Sequence, residues 1–277
     1  MISPILPALP HLPSPAAPES VSRTKRNVAD AEKYWPQGAT LKVAMYGASD
    51  AFIETVKSAA EKWLPHINLK FDFVSGSQGD IRIAQTFTSK QGSSAIGTDA
   101  QKVPADEPTL LLPHDHQDPR FAYVVTHEFG HVLGALHAHQ HPDTEIPWNR
   151  PRAYLLYSFG LGKSRTDVDE QILPKPRKST YHYEPYDRHS IMHYDINKVT
   201  TDGKWEQPES PQISAGDIAL VSKAYPRMAH EAKSVTSPAP DSPRSYPAQP
   251  ALLAKHHRRW RDADSDCTTQ GAGLGVP

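Results

Sequence analysis

Residues 127–137 read HEFGHVLGALH. His127, Glu128, His131, Gly134 and His137 fit the pattern H-E-x-x-H-x-x-G-x-x-H. Five specified residues recur by chance at roughly one start position in a few million, so accident is a poor account of the run. Upstream, DPRFAYVV is apolar at helical spacing and leads straight into it. On a helix, positions i and i+4 share one face, so His127 and His131 can offer imidazole nitrogens to one ion at about 2.0–2.1 Å. Gly134 lets the chain leave the helix through a left-handed conformation, which brings His137 round as a third ligand. Glu128 stands next to a ligand and is not one itself. It suits a general base that takes a proton from metal-bound water. An amphipathic helix with surface histidines would explain neither Glu128 nor Gly134.

A second signal is SIMHY at 190–194, preceded by YEPYDRH. The long histidine motif followed by a methionine turn resembles the metzincin clan of zinc proteases. A turn reading S-x-M-H-Y resembles the astacin family within it. The likeness runs from about Trp35 to Tyr225, and HEFGH, HQHP, IPW and SAGDIALVSKAYP are most similar to bacterial and fungal astacin-like proteins. It implies an α+β metzincin fold: a mixed twisted sheet and two long helices above a cleft, with a loop-rich lower subdomain. It also implies one catalytic Zn²⁺ on His127, His131 and His137, and hydrolysis of peptide bonds in protein substrates outside the cell. By the same resemblance Met192 forms an apolar floor beneath the metal. Tyr194 is a retractable fifth ligand that helps stabilise the transition state. Two alternatives stay open: a matrixin-like metzincin in which Tyr194 is not a ligand, and a zinc-binding interaction protein without turnover. Glu128 argues against the second, because structure alone does not require that carboxylate.

The chain departs from the family in several places. Animal astacins carry a glutamate after the third histidine that interacts with the buried N-terminus of the mature enzyme, and here that position is Ala138. The sole cysteine, Cys267, excludes intramolecular disulfides and a cysteine-based zinc site. Residues 1–26 contain neither the aspartate with which many astacin propeptides block zinc nor a cysteine. His139 and His141 read as exposed loop histidines, with alternative ligation of the metal as the other reading.

A formal net charge of −1 gives no global field toward nucleic acid or membrane, and no nucleic-acid partner is expected. No apolar run approaches the roughly 18–20 residues that span a bilayer. A monomer is expected. MISPILPALPHLPSPAAPES is a poor signal peptide, since it lacks a basic start and prolines interrupt its apolar stretch. A truncated reading frame, non-classical export and an intracellular protein all remain open on that ground. Arg23-Thr24-Lys25-Arg26 is either a processing site, which the resemblance favours, or a solvated linker run.

The organisation expected is a leader or pro-segment over 1–34, a catalytic domain over 35–227, and a Pro/Ser-rich tail over 228–277. In the tail, KHHRRWR at 255–261 reads as a solvated charge run, with contact to an anionic polymer or lipid surface as the alternative. Within the domain, 41–46, 69–74, 80–84, 93–97 and 109–112 read as strands. Phe52, Ile53, Val56, Ala59, Ala60 and Trp63 share a helical face, with Ser49 or Asp50 as N-cap and Pro65 as the stop. Residues 217–221 read as a closing helix. By resemblance, an edge strand near Ser94–Gly97 pairs with extended peptide substrate; physically, an open edge offers the unpaired N–H and C=O groups that this needs.

Overall fold

Alternating apolar residues build the strands expected from the sequence, and their order explains where the cleft lies. The structure, a computed structural model, describes residues 27–160, 162–175 and 178–227. The basic run at 23–26, Cys267 and the basic tail cluster lie outside the described residues. The first elements are β1 (Val28–Asp30), β2 (Thr40–Met45), α1 (Asp50–Ala60), β3 (Lys70–Val74), β4 (Ile81–Thr86), β5 (Ser93–Ser94) and β6 (Leu110–Pro113). The lower half follows α2 (Phe121–Val132). It contains α3 (Arg150–Tyr154), α4 (Arg165–Asp167), each running on into a π-helical turn, then β7 (Tyr181–Tyr183) and α5 (Ala215–Ala224).

Five strands form one sheet in the order β3-β2-β4-β6-β5. The first four are parallel, with Val43 opposite both Phe73 and Ile81 and with Ile83 opposite Leu110. β5 is antiparallel to β6 and forms the edge. Parallel strands need covered faces, and α1 and α2 supply that cover. Phe52 on α1 meets Phe121 on α2 edge-on at 5.2 Å, and Phe71 meets Phe129 at the same distance. α1 starts where Ser49 accepts a hydrogen bond from the Phe52 N–H. Pro65 does not stop the chain abruptly. It sits inside a 3₁₀ turn, Glu61–His66, that buries Trp63 against α2, where the indole N–H donates to the Thr126 carbonyl at 2.9 Å.

Two expectations are corrected here. The edge strand is only Ser93–Ser94, because Gly97 turns the chain with φ +52° into a 3₁₀ helix. A side chain at Gly97 would lie against the Lys33 carbonyl, so the close passage of that segment ends the strand. Residues 27–34, expected in the leader, are instead built into the fold. β1 pairs antiparallel with β7, and Asn27, Val28 and Ala29 are buried.

Candidate metal centre

α2 buries nearly every side chain from Val124 to Val132, including His127, Glu128 and His131. Such a helix exposes its last carbonyls to an apolar interior, and each must find a donor. The Trp35 indole N–H donates to the Val132 carbonyl at 2.7 Å, and the Tyr225 hydroxyl donates to that of Leu133 at 3.1 Å. The helix end is thus pinned from both ends of the domain. Gly134 then turns with φ +88°. β1 grips the turn, with the Asp30 N–H on the Gly134 carbonyl at 3.0 Å and the Leu136 N–H on the Val28 carbonyl at 2.9 Å. His137 is delivered beside the helical pair, as the spacing predicts.

The His131 and His137 Nε2 atoms lie 3.1 Å apart. One nitrogen from each of His127, His131 and His137 lies within 4.8 Å of the others. Two nitrogens bound to one zinc at about 2.0–2.1 Å in tetrahedral array stand roughly 3.3 Å apart, so this spacing fits. The outer nitrogens are already used. His127 Nδ1 meets the Ile191 carbonyl and His131 Nδ1 meets that of Ala135, both at 2.8 Å. Those contacts place the ring proton on Nδ1 and leave the Nε2 lone pairs facing inward. Burial pushes His127 down to about 3 and His131 to about 4, and holds His137 well below its ordinary value. All three imidazoles are neutral near pH 7, the form that binds metal.

The SIMHY turn passes directly beneath. Met192 is buried with its sulfur against Gly130, where an added Cβ would lie 2.3 Å from Sδ. The Met192 carbonyl accepts from the Ala138 N–H at 2.9 Å, which ties the turn to the residue after the third histidine. The Tyr194 ring lies 4.1 Å from that of His137 and 6.0 Å from that of His127, centroid to centroid. Glu128 is buried beneath Gly92, whose backbone approaches so closely that a Cβ there would sit 2.6 Å from Glu128 Cγ.

His139 and His141 are not exposed; both are fully buried. Gln140 between them donates to the Glu170 and Leu173 carbonyls, so residues 170–173 roof the segment. The His139 ring stacks on Tyr194 at 4.6 Å and 20°, lies 5.3 Å from the His137 ring, and meets the Gln171 carbonyl through Nε2 at 3.0 Å. It braces the third imidazole and the turn tyrosine.

Sequence reasoning also missed the carboxylate behind the turn. Asp217, 1% exposed, accepts from Ser190 Oγ, the Ile191 N–H, Asn27 Nδ2 and both the N–H and hydroxyl of Ser214. Burial raises its carboxyl above the ordinary range, and the donors from Ser190, Ser214 and Ile191 pull it part of the way back. Ser214 and Asp217 form a capping box for α5. That S-x-x-D pattern was visible in the sequence, but its bond to the SIMHY turn was not.

The centre faces a cleft of about 250 Å³. Gly92, Ser93 and Ser94 form its upper rim, Glu128, His131 and His137 its floor, and Tyr194 part of its lower wall. Three converging imidazoles, two buried and His137 half-buried, with a buried carboxylate at their side between a sheet edge and a methionine turn, define a zinc centre of the metzincin type.

The model of the astacin peptidase family matches residues 27–215, and the chain belongs to that family. Its zinc is the single ion that the three histidines fit. Two solved structures of myroilysin are each 32% identical to it. One has a TM-score of 0.68 and covers 73% of this chain and 99% of that one; the other has a TM-score of 0.53 and covers 70% and 86%. The zinc metalloproteinase nas-26 of Caenorhabditis elegans is 25% identical over an alignment of 185 residues that covers 64% of this chain and 42% of the relative. The chain thus spans about two fifths of the length of that relative.

Proposed function

We propose that the chain is a zinc-dependent metalloendopeptidase in which His127, His131 and His137 hold the ion and Glu128 is the general base. The observation that carries this is the convergence of three neutral imidazoles, two buried and His137 half-buried, beside a buried carboxylate on the floor of one cleft. Held by these three imidazoles, zinc would supply a Lewis acid for the scissile carbonyl and would lower the pKa of water toward ~7. Glu128 takes the proton of the attacking water on its carboxylate and passes it to the leaving amine. Tyr194 brings its phenol to the developing oxyanion, steadied by the stacked His139 ring. Ser93 and Ser94, at the sheet edge on the cleft rim, align an extended peptide by main-chain hydrogen bonds.

The catalytic unit we assign is 27–227, since Asn27 is already buried and Val28 already pairs with Tyr183 among the described residues. We read the chain as a monomer that acts outside the cell, and family membership supports the second part of that reading. Among the described residues no helix is long and apolar enough to cross a membrane.

The test is Glu128→Gln measured beside the unaltered chain. Metal analysis should find about one zinc per chain in both, while cleavage of a mixed peptide library falls on the order of 10²–10⁴-fold in the variant. Near-normal turnover in Glu128→Gln would remove this carboxylate from the reaction. Cleavage that survives a chelator would remove the metal.

A further inference from the structure

We propose that Tyr181 and Tyr183 are specificity residues that receive an aromatic side chain of the substrate two or three residues before the scissile bond. This subsite belongs to the cleft described above, rests on its peptidase reading and adds the substrate class. Gly92 lies against Glu128, and from there the upper rim runs along β6 to Ile96. The Ala95 N–H still donates to the Thr109 carbonyl at 2.9 Å, and Ile96 is extended. Four extended residues span about 13 Å, so Ile96 stands well away from the general base. Just past it Gly97 packs on the Lys33 carbonyl, and the β1–β7 pair closes that end of the cleft. Tyr181 and Tyr183 are two apart on β7 and share a face, and Val28 stands directly opposite Tyr183. These three line the cleft with Ile96, Leu136 and Pro142. None of the six carries a charge; Val28 is buried and the other five are half-buried. The rings are held in place. The Tyr183 hydroxyl accepts from the Lys178 N–H at 2.8 Å, its ring meets His141 edge-on at 5.3 Å, and the Tyr181 ring lies 6.2 Å from it.

The open edge of β5 sets which end of a peptide meets these tyrosines. Antiparallel pairing is the commoner and slightly more stable arrangement. β5 runs from the Glu128 end toward the Tyr181 end, so an antiparallel peptide places the residues before its scissile bond beside Tyr181 and Tyr183. Half-covered rings and branched aliphatic side chains leave apolar surface in water, and a large apolar side chain entering there removes it. An aromatic ring covers the most area and gains ring–ring contact beyond that area. A charged side chain would lose water without gaining a partner from these six residues. Burial of one large side chain is enough for roughly ten- to a hundredfold in kcat/KM.

The experiment uses the full chain as wild type, Tyr181→Ala, Tyr181→Glu and the double variant Tyr181→Phe with Tyr183→Phe, each checked for zinc content and melting temperature. Substrates are peptides of one fixed sequence in which Phe, Leu, Ala, Glu or Lys is placed at each of the three residues before and the three after the scissile bond. Wild type should prefer Phe over Ala by about tenfold or more in kcat/KM at the second or third residue before that bond, with Leu between them and Glu and Lys below Ala. The double Phe variant should keep the preference, because it keeps both rings. Tyr181→Ala should bring the Phe-to-Ala ratio near one, and Tyr181→Glu should raise Lys above Phe. A Phe-to-Ala ratio near one in wild type overturns the proposal. So does a ratio that Tyr181→Ala leaves unchanged, even where all rates fall together, or a preference confined to residues after the scissile bond. If Tyr181→Ala does not fold, the order of Lys and Phe in Tyr181→Glu decides, and Phe still preferred there overturns it. Binding of the same peptides to the Glu128→Gln chain, followed by fluorescence anisotropy, reads the subsite without turnover, and equal affinity for Phe and Ala also overturns it. Absence of cleavage of every peptide by zinc-loaded wild type would sink the peptidase reading, while the anisotropy arm still decides the subsite.

Discussion

Gly130 is an unspecified position of the histidine motif, yet its contacts make a sharp prediction. In an ordinary helix interior, Gly→Ala stabilises by about 1 kcal/mol. Here the new Cβ would lie 2.3 Å from Met192 Sδ, 3.2 Å from its Cε and 3.4 Å from Trp63 Cζ2. Carbon and sulfur atoms pack at about 3.5–4.0 Å, so Met192 would have to retreat by more than ~1 Å. It is 1% exposed and Trp63 is 0% exposed, so neither has solvent to move into. Overpacking of this kind costs typically ~1–3 kcal/mol, which outweighs the helix gain. Gly130→Ala should therefore lose up to about 2 kcal/mol and, at roughly 2–4 °C per kcal/mol for a domain of this size, melt up to ~8 °C lower. The displacement should also reach the metal, because the neighbouring Ile191 carbonyl holds His127 Nδ1. Zinc affinity, read by competition with a chromogenic chelator, should fall along with the melting temperature. Met192→Ala alone should cost ~2–5 kcal/mol through the void it leaves. Combined with Gly130→Ala, part of that void is filled, so the double variant should be at least ~1 kcal/mol more stable than the sum of the singles. A higher melting temperature in Gly130→Ala with unchanged zinc affinity, or additivity within ~0.5 kcal/mol, would refute the packing argument.

Gly92→Ala should keep zinc and lose most turnover, because the new methyl would sit 2.6–2.9 Å from Glu128 Cγ, Oε1 and Cδ and displace the carboxylate; full activity would show that Glu128 has room to move. Tyr194→Phe should lower kcat more than it raises KM, since the phenol matters mainly in the transition state; an unchanged kcat would leave Tyr194 as a wall of the cleft. In the metal-free protein, burial holds His127 at about 3 and both His131 and His193 at about 4. The unfolded chain, with histidines near ~6.5, binds more protons between those limits, so stability should fall as pH drops from ~6.5 toward ~4 and be flat above ~7 as far as these groups are concerned. Melting of chelated protein at pH 5 at or above its value at pH 7.5 would contradict that sign.

Much of this molecule was legible because local signals agreed with the tertiary result. The 41–46, 69–74 and 80–84 alternations became β2, β3 and β4 within a residue or two. HEFGHVLGALH yielded helix, turn and three converging imidazoles. What stayed hidden depends on long-range partners. The strand at 93–97 shrank because the Lys33 carbonyl presses on Gly97, sixty-odd residues away in sequence. His139 and His141 carried no local mark of burial; the roof over them is set by Gln140 reaching residues 170 and 173. The pairing of β1 with β7 joins residues over 150 apart, and three-residue strands offer too little periodicity to announce it.

Asp217 links several of these hidden contacts. It caps α5, receives Ser190 and Ile191 from the turn, and receives the Asn27 side chain from the start of the domain. Ile191 in turn fixes His127, so one buried carboxylate connects the closing helix, the methionine floor and the first ligand. The same cluster bears on the position where the family's glutamate is replaced by Ala138. A buried methyl there cannot bind an amino group. Asn27 donates to Asp217 at 2.7 Å and accepts from the Asp187 N–H at 3.3 Å. A side-chain amide does this whether or not the chain is cut before it. The anchoring of β1 against the metal-site turn therefore rests on an internal hydrogen-bond network and requires no free α-amino group at residue 27.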